Sequence, residues 1–490
     1  MKKLAQLMTN FENSYIVKVP CLFLYDLFIK EKSTKSCMIV CFLLATFISI
    51  LFYPGCFSFD SFYQYQQAVT KDFNSWHPVI MALVMRTLRH TLGAGGLLFF
   101  HQYIIWFSIF LIFSSLFKKR IIYFIVGFFP HLFLLNLCVW KDVGMNSALM
   151  FSTGCLMQFL YRKQLKIYLI GAFLGIWYAT LVRMNGITIS IFYLMLISLC
   201  LWKYLKVSIA KSLGVLFLSL LVIICSYLTL NYAFKVKQMY PITTTLIHDI
   251  AGINYLKTNN ANKELPNSLK SSVRDEYKGV ANERWYRTYT SDSCGSVCWG
   301  EGVFDCVPKN KSQFEGIFEL WKKEVTNYPK EYLMHRTKLF KELLYFSNKP
   351  YFLNFDSNLQ NDVAFHPTWL AQHIFIKIYS LYFKTYYLLY AFVKPYVLFV
   401  VNGVLLLFII IKIFNRSIFV NEDNKIFLLL SLSNISSTIG LYFTAPANDY
   451  RYNIFLLSSS ILIYVLLLKK LYMRWINKFY VNTLLLHTKK

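Results

Sequence analysis

Apolar residues fill most of the chain in runs separated by short polar or basic breaks. Each run approaches the roughly 20 residues that a membrane-spanning helix needs, so the pattern predicts ten spans. Only Lys141 and Asp142 separate the third span from the fourth, which predicts either a tight helical hairpin or one kinked helix. Residues 183–186 leave the same choice between the fifth span and the sixth. The predicted spans cover residues 37–54, 96–117, 121–140, 143–161, 167–182, 186–202, 212–232, 395–412, 426–444 and 453–468.

The composition agrees with this pattern. Of the 490 residues, 56% are hydrophobic and only 15% are charged, whereas soluble proteins average about 25% charged residues. The expected fold is therefore an all-α polytopic membrane protein of about ten transmembrane helices, with a large mixed outer domain between spans 7 and 8.

The basic residues fall mainly on one side of the predicted membrane. With the N-terminus in the cytoplasm, the short inner segments hold 24 Lys and Arg residues and the short outer loops hold six. Lys and Arg concentrate in cytoplasmic loops, so both termini are expected inside. The net charge of +27 then reflects orientation, and nucleic acid is not an expected partner.

These spans divide the chain into five parts. The long outer part is polar in its middle and reads as helical around Pro329, where a break or kink is expected. Its last stretch, residues 373–392, is aromatic and is typical of a helix lying in the membrane interface. The parts are an amphipathic N-terminal segment (1–36), a seven-span module (37–232) with a first outer loop (55–95), the outer domain (233–394), a three-span module (395–470) and a cytoplasmic tail (471–490).

Asp60 lies in the stretch PGCFSFDSFYQYQQAV, close to the end of the first span. An ionisable group at this depth is costly unless it has a partner or lines a polar cavity. One interpretation is that Asp60 caps a short helix. Capping alone leaves the neighbouring aromatics and Gln64 unexplained. Aromatic rings, amides and carboxylates together are typical of carbohydrate sites, since sugars stack on rings and their hydroxyls bond to planar polar groups.

The sequence Trp76-His77-Pro78 follows shortly afterwards. His77 is a second candidate base or hydrogen-bond donor. The alternative is structural, with Trp76 at the membrane interface and Pro78 near the start of a helix.

Three cations end different predicted spans on the outer side: Lys141, Arg183 and Arg451. Each by itself is typical of an interfacial anchor. Together with Asp60 and Asp142 they indicate a site for an anionic lipid headgroup, because guanidinium groups bind phosphate in a bidentate way.

Four of the eleven cysteines lie in polar outer loops, where disulfides persist. Their spacing favours structural cross-links, and a metal site would lack a nearby histidine. Three are clustered and leave one over, for which Cys56 is a candidate partner. The four are Cys56, Cys294, Cys298 and Cys306.

The order of these features resembles the GT-C membrane glycosyltransferases. Within that superfamily, YPGCFSFDSFYQYQQA followed by WHP, WKD at 140–142, LVRMNG at 181–186 and DYRYN at 449–453 resembles the bacterial O-antigen glucosyltransferases of serotype-converting type. The resemblance implies the inner membrane, with the site and the outer domain in the periplasm. Many members carry a paired-acid or metal-binding outer motif, and here only Asp60 matches, so no metal or other cofactor is expected.

The resemblance also implies roles for individual residues. The enzyme would move glucose with inversion from undecaprenyl-phosphate-glucose to an O-antigen sugar or another lipid-linked glycan acceptor. Asp60 would deprotonate the acceptor hydroxyl, and Lys141, Arg183 and Arg451 would hold the donor phosphate. A flippase and a carrier-charging glycosyltransferase would be functional partners. Expected sugar contacts are Gln64, Trp76, His77, Asp142 and Asn185.

Two other functions remain open at this stage. An O-antigen polymerase or ligase also has many spans and a large outer loop. A transporter of polyprenyl-linked glycans would instead place polar groups within its spans and show repeated halves, and neither pattern is evident here.

Overall fold

The computed structural model describes residues 33–117, 120–163, 165–257, 265–279, 281–285, 289–291, 293–298, 302–345, 377, 392–414 and 422–487. The predicted amphipathic segment (1–36) and the predicted interfacial helix (373–392) lie almost wholly outside these residues. Most of the described residues are helical, and seven helical segments among them are long and apolar enough to cross a membrane. The protein is therefore an all-α polytopic membrane protein.

In the described residues the first membrane module contains ten α-helices, and four of the seven candidate spans lie in this module. In chain order the ten helices are α1 (Thr34–Leu51), α2 (Phe59–Thr70), α3 (Val79–Leu92), α4 (Gly96–Leu116), α5 (Arg120–Gly127), α6 (Pro130–Asn136), α7 (Lys141–Gln158), α8 (Lys166–Val182), α9 (Ile187–Lys203) and α10 (Ile209–Ala233).

The outer domain and the last membrane module follow. The outer domain contains α11 (Thr243–Lys257), α12 (Asn267–Lys270), α13 (Ala281–Arg284), α14 (Gly295–Cys298), α15 (Lys311–Asn327) and α16 (Pro329–Leu343). The last module contains α17 (Pro395–Phe414), α18 (Glu422–Thr444) and α19 (Ile454–His487).

The predicted third span, residues 121–140, is not one helix. It consists of α5 and α6, of 8 and 7 residues, and neither can cross a bilayer alone because crossing takes roughly 20 residues. Pro130 occupies the first turn of α6. A proline is tolerated there because the first N–H groups of a helix have no partner within the helix, but it cannot continue a helix from the residues before it. Residues 137–140 then run without regular helix into α7, so the predicted tight hairpin is replaced by a short non-helical segment.

The predicted first outer loop, residues 55–95, is also mostly helical. It folds as α2 and α3, and a short 3-10 turn at Gly93–Gly95 leads directly into α4. Gly93 has φ +58 and lies against the Tyr53 hydroxyl. An L side chain disfavours that backbone conformation, so the glycine allows the close approach of α1 and the turn.

Polar contacts gather at the two ends of the helix bundle. At one end Tyr161 donates to Asp423, and the Tyr204 hydroxyl donates to Glu422. Lys425 forms an ion pair with Glu422 at 2.7 Å. The other end carries Asp60 and the cations described below, and the charge distribution predicts that it faces outward; we call it the outer end.

The outer domain packs around its own apolar core. Buried side chains of α11 and α15 meet Trp285 and Phe304 there, and a disulfide joins Cys298 to Cys306. The helical stretch breaks between α15 and α16 at Pro329, as predicted. A mixed domain was the expectation, but the described part contains helices and isolated bridges such as Val273 with Phe304. Its polar loops are joined by short helices and the disulfide, and its described residues form no β-strand.

Candidate functional site

Asp60 lies in the first turn of α2 but does not cap that helix. The N-cap is Ser58, whose hydroxyl accepts from the Ser61 N–H in a reciprocal capping box. Ser61 also donates to the Val139 carbonyl at 2.7 Å, so α2 is anchored against the segment that precedes α7. The capping interpretation of Asp60 is therefore wrong, and its carboxylate is left for long-range partners.

The main partner of Asp60 is Arg451. Its guanidinium Nη1 lies 2.8 Å from Asp60 Oδ2, and His77 Nε2 lies 4.0 Å from Asp60 Oδ1. The Asp60 side chain stays 33% exposed, whereas the Arg451 side chain is 16% exposed and the His77 side chain 3%. Asp60 is thus the most accessible of the three.

Arg451 lies in a 3-10 turn between α18 and α19. Asp449 is the N-cap of that turn and accepts from the Arg451 N–H. The same carboxylate lies 2.8 Å from Arg451 Nε, and the more distant Asp142 Oδ2 lies 3.9 Å away. The guanidinium also lies over the Trp140 ring at 5.4 Å and near the Tyr452 ring at 5.6 Å. Arg451 is consequently held in place by carboxylates and aromatic faces.

Arg183 ends α8 and pairs with Asp142 in the first turn of α7. Its Nε donates to Asn185 Oδ1 at 2.8 Å, and its guanidinium lies 4.7 Å from the Tyr452 ring centre. The Asp142 side chain is only 1% exposed. Burial makes this carboxylate dependent on its cations, and therefore favours a role for Asp142 in organising the site.

Lys141 joins the cluster through His77. Its ammonium donates to His77 Nδ1 at 3.4 Å, which leaves the proton of a neutral imidazole on the Nε2 that faces Asp60. Burial, followed by the charge of Lys141, lowers the pKa of His77 to about 3. His77 is thus neutral near pH 7 and a weak base, so the geometry favours hydrogen bonding over proton abstraction.

Charges of both signs set the titration of the site. Burial alone would raise the pKa of Asp60, but nearby cations, with Arg451 foremost, hold that pKa below its usual value. Burial, followed by the charge of Arg183, lowers the pKa of Lys141 to about 8. Within the described residues Lys141 forms no ion pair with a carboxylate. By contrast, Arg183 pairs with Asp142, and Arg451 pairs with Asp60. Lys141 is the cation least compensated by carboxylates, and so the best placed to receive an added anion.

Two other predicted sugar contacts lie on the α2 side of the site. Gln64 is one turn after Asp60 on α2 and is buried, and its Oε1 finds no hydrogen-bond partner among the described residues. Trp76 is half-buried, and its backbone N–H donates to Asn74 Oδ1 at 3.1 Å. Asn74 also donates to the Tyr63 hydroxyl, whose ring lies edge-on to His77 at 5.9 Å.

The structure thus brings most of the predicted site residues into one connected cluster. The roles assigned to them remain predictions. Five further members of the cluster had no role in the sequence prediction, although all except Asn74 lie within the quoted motifs. The added members are Tyr63, Asn74, Trp140, Asp449 and Tyr452.

The outer domain holds the segment that leads to Arg451. Arg336 on α16 donates to the Ala445 carbonyl at 2.8 Å. The Cys294 N–H donates to the Pro446 carbonyl at 2.8 Å, and Ser293 forms an isolated bridge with Ala447. These contacts fix residues 445–447 just before the 3-10 turn, so they set the position of Arg451.

The structure pairs two of the clustered cysteines with each other and does not place Cys56, the candidate partner, beside them. Cys298 and Cys306 form a disulfide, whereas Cys294 is a buried thiol. Cys56 does not join the outer-domain cluster, because its backbone pairs with Cys138 at the start of the segment before α7. Sequence reasoning had placed Cys138 within an apolar span and so had not considered it.

An apolar groove lies between α1, α3, α4, α7 and α8, and exposed side chains such as Phe42 and Leu174 lie at its opening. It encloses about 870 Å³ and is lined almost entirely by apolar and aromatic side chains, including Phe42, Tyr103, Phe151, Trp177 and Tyr178. Tyr178 precedes Arg183 by five residues at the end of α8, roughly 8 Å along a helix axis. The groove therefore reaches close to the charged cluster.

Comparison with family models, curated proteins and solved structures finds no match to this chain. Within the described ranges, no group of three or more His, Cys, Asp or Glu side chains is arranged to hold a metal ion. Metal-independent chemistry stays a prediction.

Proposed function

We propose that the protein is an inverting glycosyltransferase that moves glucose from undecaprenyl-phosphate-glucose to O-antigen sugar units on the periplasmic face of the bacterial inner membrane. One observation carries the proposal. The partly exposed Asp60 carboxylate lies at the outer end of the bundle, beside a cluster of three cations drawn from different helices. A base next to an anion-binding site is what transfer from a phosphate-linked donor requires.

The donor phosphate is proposed to bind at Lys141 and Arg451. Lys141 is the less compensated cation, and Arg451 offers a planar guanidinium that can bind phosphate in a bidentate way. These charges would stabilise the phosphate as it leaves the anomeric carbon. Arg183 is engaged with Asp142 and Asn185, and we assign it to holding the phosphate site together.

The lipid part of the donor is proposed to lie in the apolar groove. The groove has exposed apolar side chains at its opening and is lined by aromatic and aliphatic side chains, which suits a polyprenyl chain. Its outer part, at Tyr178, approaches Arg183. A lipid in the groove would thus place its phosphate among the cations.

Asp60 is proposed to accept the proton from the attacking hydroxyl. Arg451 keeps the pKa of Asp60 low, which makes the carboxylate a weak base. A phosphate at Arg451 competes for that guanidinium, and the pKa of Asp60 then rises. The carboxylate therefore becomes more basic when the donor is in place, which limits wasteful reaction of Asp60 with other groups.

The test is the mass and linkage analysis of lipopolysaccharide from cells with and without the gene. The proposal expects one additional hexose on each modified repeat, with unchanged chain length. A change in chain length without a new side-branch sugar would favour the polymerase or ligase instead. Unaltered lipopolysaccharide in cells that produce the protein and make the donor would contradict the proposal.

A further inference from the structure

Cys56 and Cys138 lie side by side at the outer end of the bundle, although they are far apart in the sequence. Their backbones form a parallel bridge, with Cys56 N–H donating to Leu137 O and Val139 N–H donating to Cys56 O, both at 3.0 Å. Adjacent strands are about 4.8 Å apart. This spacing falls within the Cα separation of roughly 4.4–6.8 Å that a disulfide spans.

The two thiols are also neighbours in space, close enough for Cys138 to act electrostatically on the Cys56 side chain. Both residues are thiols in the structure, and Cys138 Sγ donates to the Leu134 carbonyl at 3.8 Å. Paired positions on neighbouring strands direct their side chains to the same face. Closing a bond between the two sulfurs would therefore need no rearrangement of the backbone.

The segments around the two cysteines are fixed by several independent contacts. Gly55 has φ +100, and a Cβ there would come within 2.7 Å of Val139. The Trp140 indole donates to the Ser58 hydroxyl at 2.9 Å. These contacts fix the register of the two segments on both sides of the bridge and therefore keep the two sulfurs close together.

We propose that Cys56 and Cys138 form a second disulfide, which ties the start of α2 to the start of α7. In the reaction the two thiols lose two protons and two electrons to an incoming disulfide oxidant. One S–S bond forms between the cysteines, and the oxidant is reduced to two thiols. The bond would link the segment that carries Asp60 to the segment that carries Lys141 and Asp142.

The surroundings indicate when this bond would form. Burial, followed by the neighbouring Cys138 side chain, raises the pKa of the Cys56 thiol well above its usual value, and Cys138 is only 2% exposed. Thiolates carry out disulfide exchange, so exchange in the folded protein is slow. Oxidation therefore belongs to the stage before α2 packs against residues 137–140, and the finished bond resists reduction.

The test is disulfide mapping of the full-length protein purified from membranes. Thiols are alkylated in denaturant without reductant, and the digest is analysed by mass spectrometry. The Cys298–Cys306 bond is the internal control for oxidation of the outer end, and Cys155 and Cys200, buried in the bundle, are controls for complete alkylation. We expect a Cys56–Cys138 linked peptide in most molecules.

The outcomes separate clearly. Alkylated Cys56 and Cys138 together with an intact Cys298–Cys306 bond would overturn the proposal, as would a link from Cys56 to Cys294. Reduced thiols at both pairs would also overturn it, because the outer end would then not meet an oxidant. In a Cys138→Ser variant, Cys56 should become fully alkylated while the Cys298–Cys306 bond persists. The mapping of the unmodified protein decides the matter if that variant fails to accumulate.

Discussion

The ion pair between Asp249 and Arg336 lies deep inside the described part of the outer domain, and removing its cation tests how that domain supports the site. Both side chains are 1% exposed, and their charged atoms lie 2.8 Å apart. Arg336 also donates to the Ala445 carbonyl next to the Arg451 turn. The perturbation is Arg336→Met, which keeps an unbranched apolar stem but removes the charge and the donors.

The size of the effect follows from what remains around Asp249. Breaking a buried pair by removing one partner typically costs about 3–5 kcal/mol, because a charge is left uncompensated. Here Trp321 still donates to Asp249 Oδ2 at 2.9 Å, and His335 lies 3.1 Å from Oδ1. These two partners place the expected loss at the lower end, about 3 kcal/mol, which corresponds to a factor of roughly 150 in an opening equilibrium.

The assay is hydrogen–deuterium exchange of the α11 amides in purified protein. Amides that exchange only when the domain opens report the free energy of that opening. Arg336→Met should accelerate their exchange by about 100-fold or more. The matched control is Lys322→Met on α15, because Lys322 and Glu319 form an exposed pair at 3.9 Å, worth less than about 1 kcal/mol. Adding Asp249→Asn to Arg336→Met removes the uncompensated charge and should recover much of the loss.

The pH dependence has a definite sign. Burial opposes ionisation of Asp249, but Arg336 leads the groups that hold its pKa below the usual value, so its stabilising effect is present near neutral pH and lost only in strong acid. Without Arg336, burial raises that pKa, and the variant gains stability as the pH falls and the carboxyl takes up a proton. The difference between the two proteins should shrink from pH 7 to pH 5. Equal exchange of both proteins at pH 7 would refute the reasoning.

Two further predictions concern the membrane module. Because the pKa of Lys141 is lowered to about 8, its protonated fraction falls from about 0.9 at pH 7 to about 0.1 at pH 9. Calorimetric titration with a short-chain polyprenyl-phosphate-glucose should show roughly tenfold weaker binding at pH 9, and Lys141→Arg, which stays charged, should abolish that slope; an equal slope in both proteins would contradict the role. The second concerns Asn434, which donates to Asn402 and accepts from Ser459 in a buried network joining α17, α18 and α19. Asn434→Leu should cost about 1–2 kcal/mol in unfolding by sodium dodecyl sulfate, and Thr444→Val, at an exposed hydroxyl bonded within its own helix, should cost much less; equal losses would argue against the network.

Helix positions are well predicted where the ends of an apolar run coincide with residues that end a helix. The predicted span 212–232 matches α10, and the expected break at Pro329 separates α15 from α16. The prediction fails at residues 121–140. The apolar run there continues through Pro130, so the pattern predicts one span. Pro130 instead starts a second short helix and prevents one continuous helix.

Long-range partners explain most of what the sequence could not predict about the site. Topology placed Asp60 and Arg451 on the same side, but nothing local shows that they form an ion pair. Local chemistry even favoured the capping interpretation of Asp60, until Ser58 proved to be the cap. Cys138 was hidden because an apolar neighbourhood resembles a span, whereas the helix ends before it.

The proposed activity depends most directly on Asp60, and the decisive measurement compares two substitutions in the same helical region. Asp60→Asn keeps the shape but removes the base, whereas Asp72→Asn changes an exposed carboxylate paired with Lys237. Both proteins are produced at equal levels in cells lacking the gene, and hexose added to the O-antigen is measured by mass spectrometry. Loss of general-base catalysis typically costs about 100- to 10,000-fold, so Asp60→Asn should add no detectable hexose while Asp72→Asn retains normal modification. Normal modification by a well-expressed Asp60→Asn protein would contradict the account.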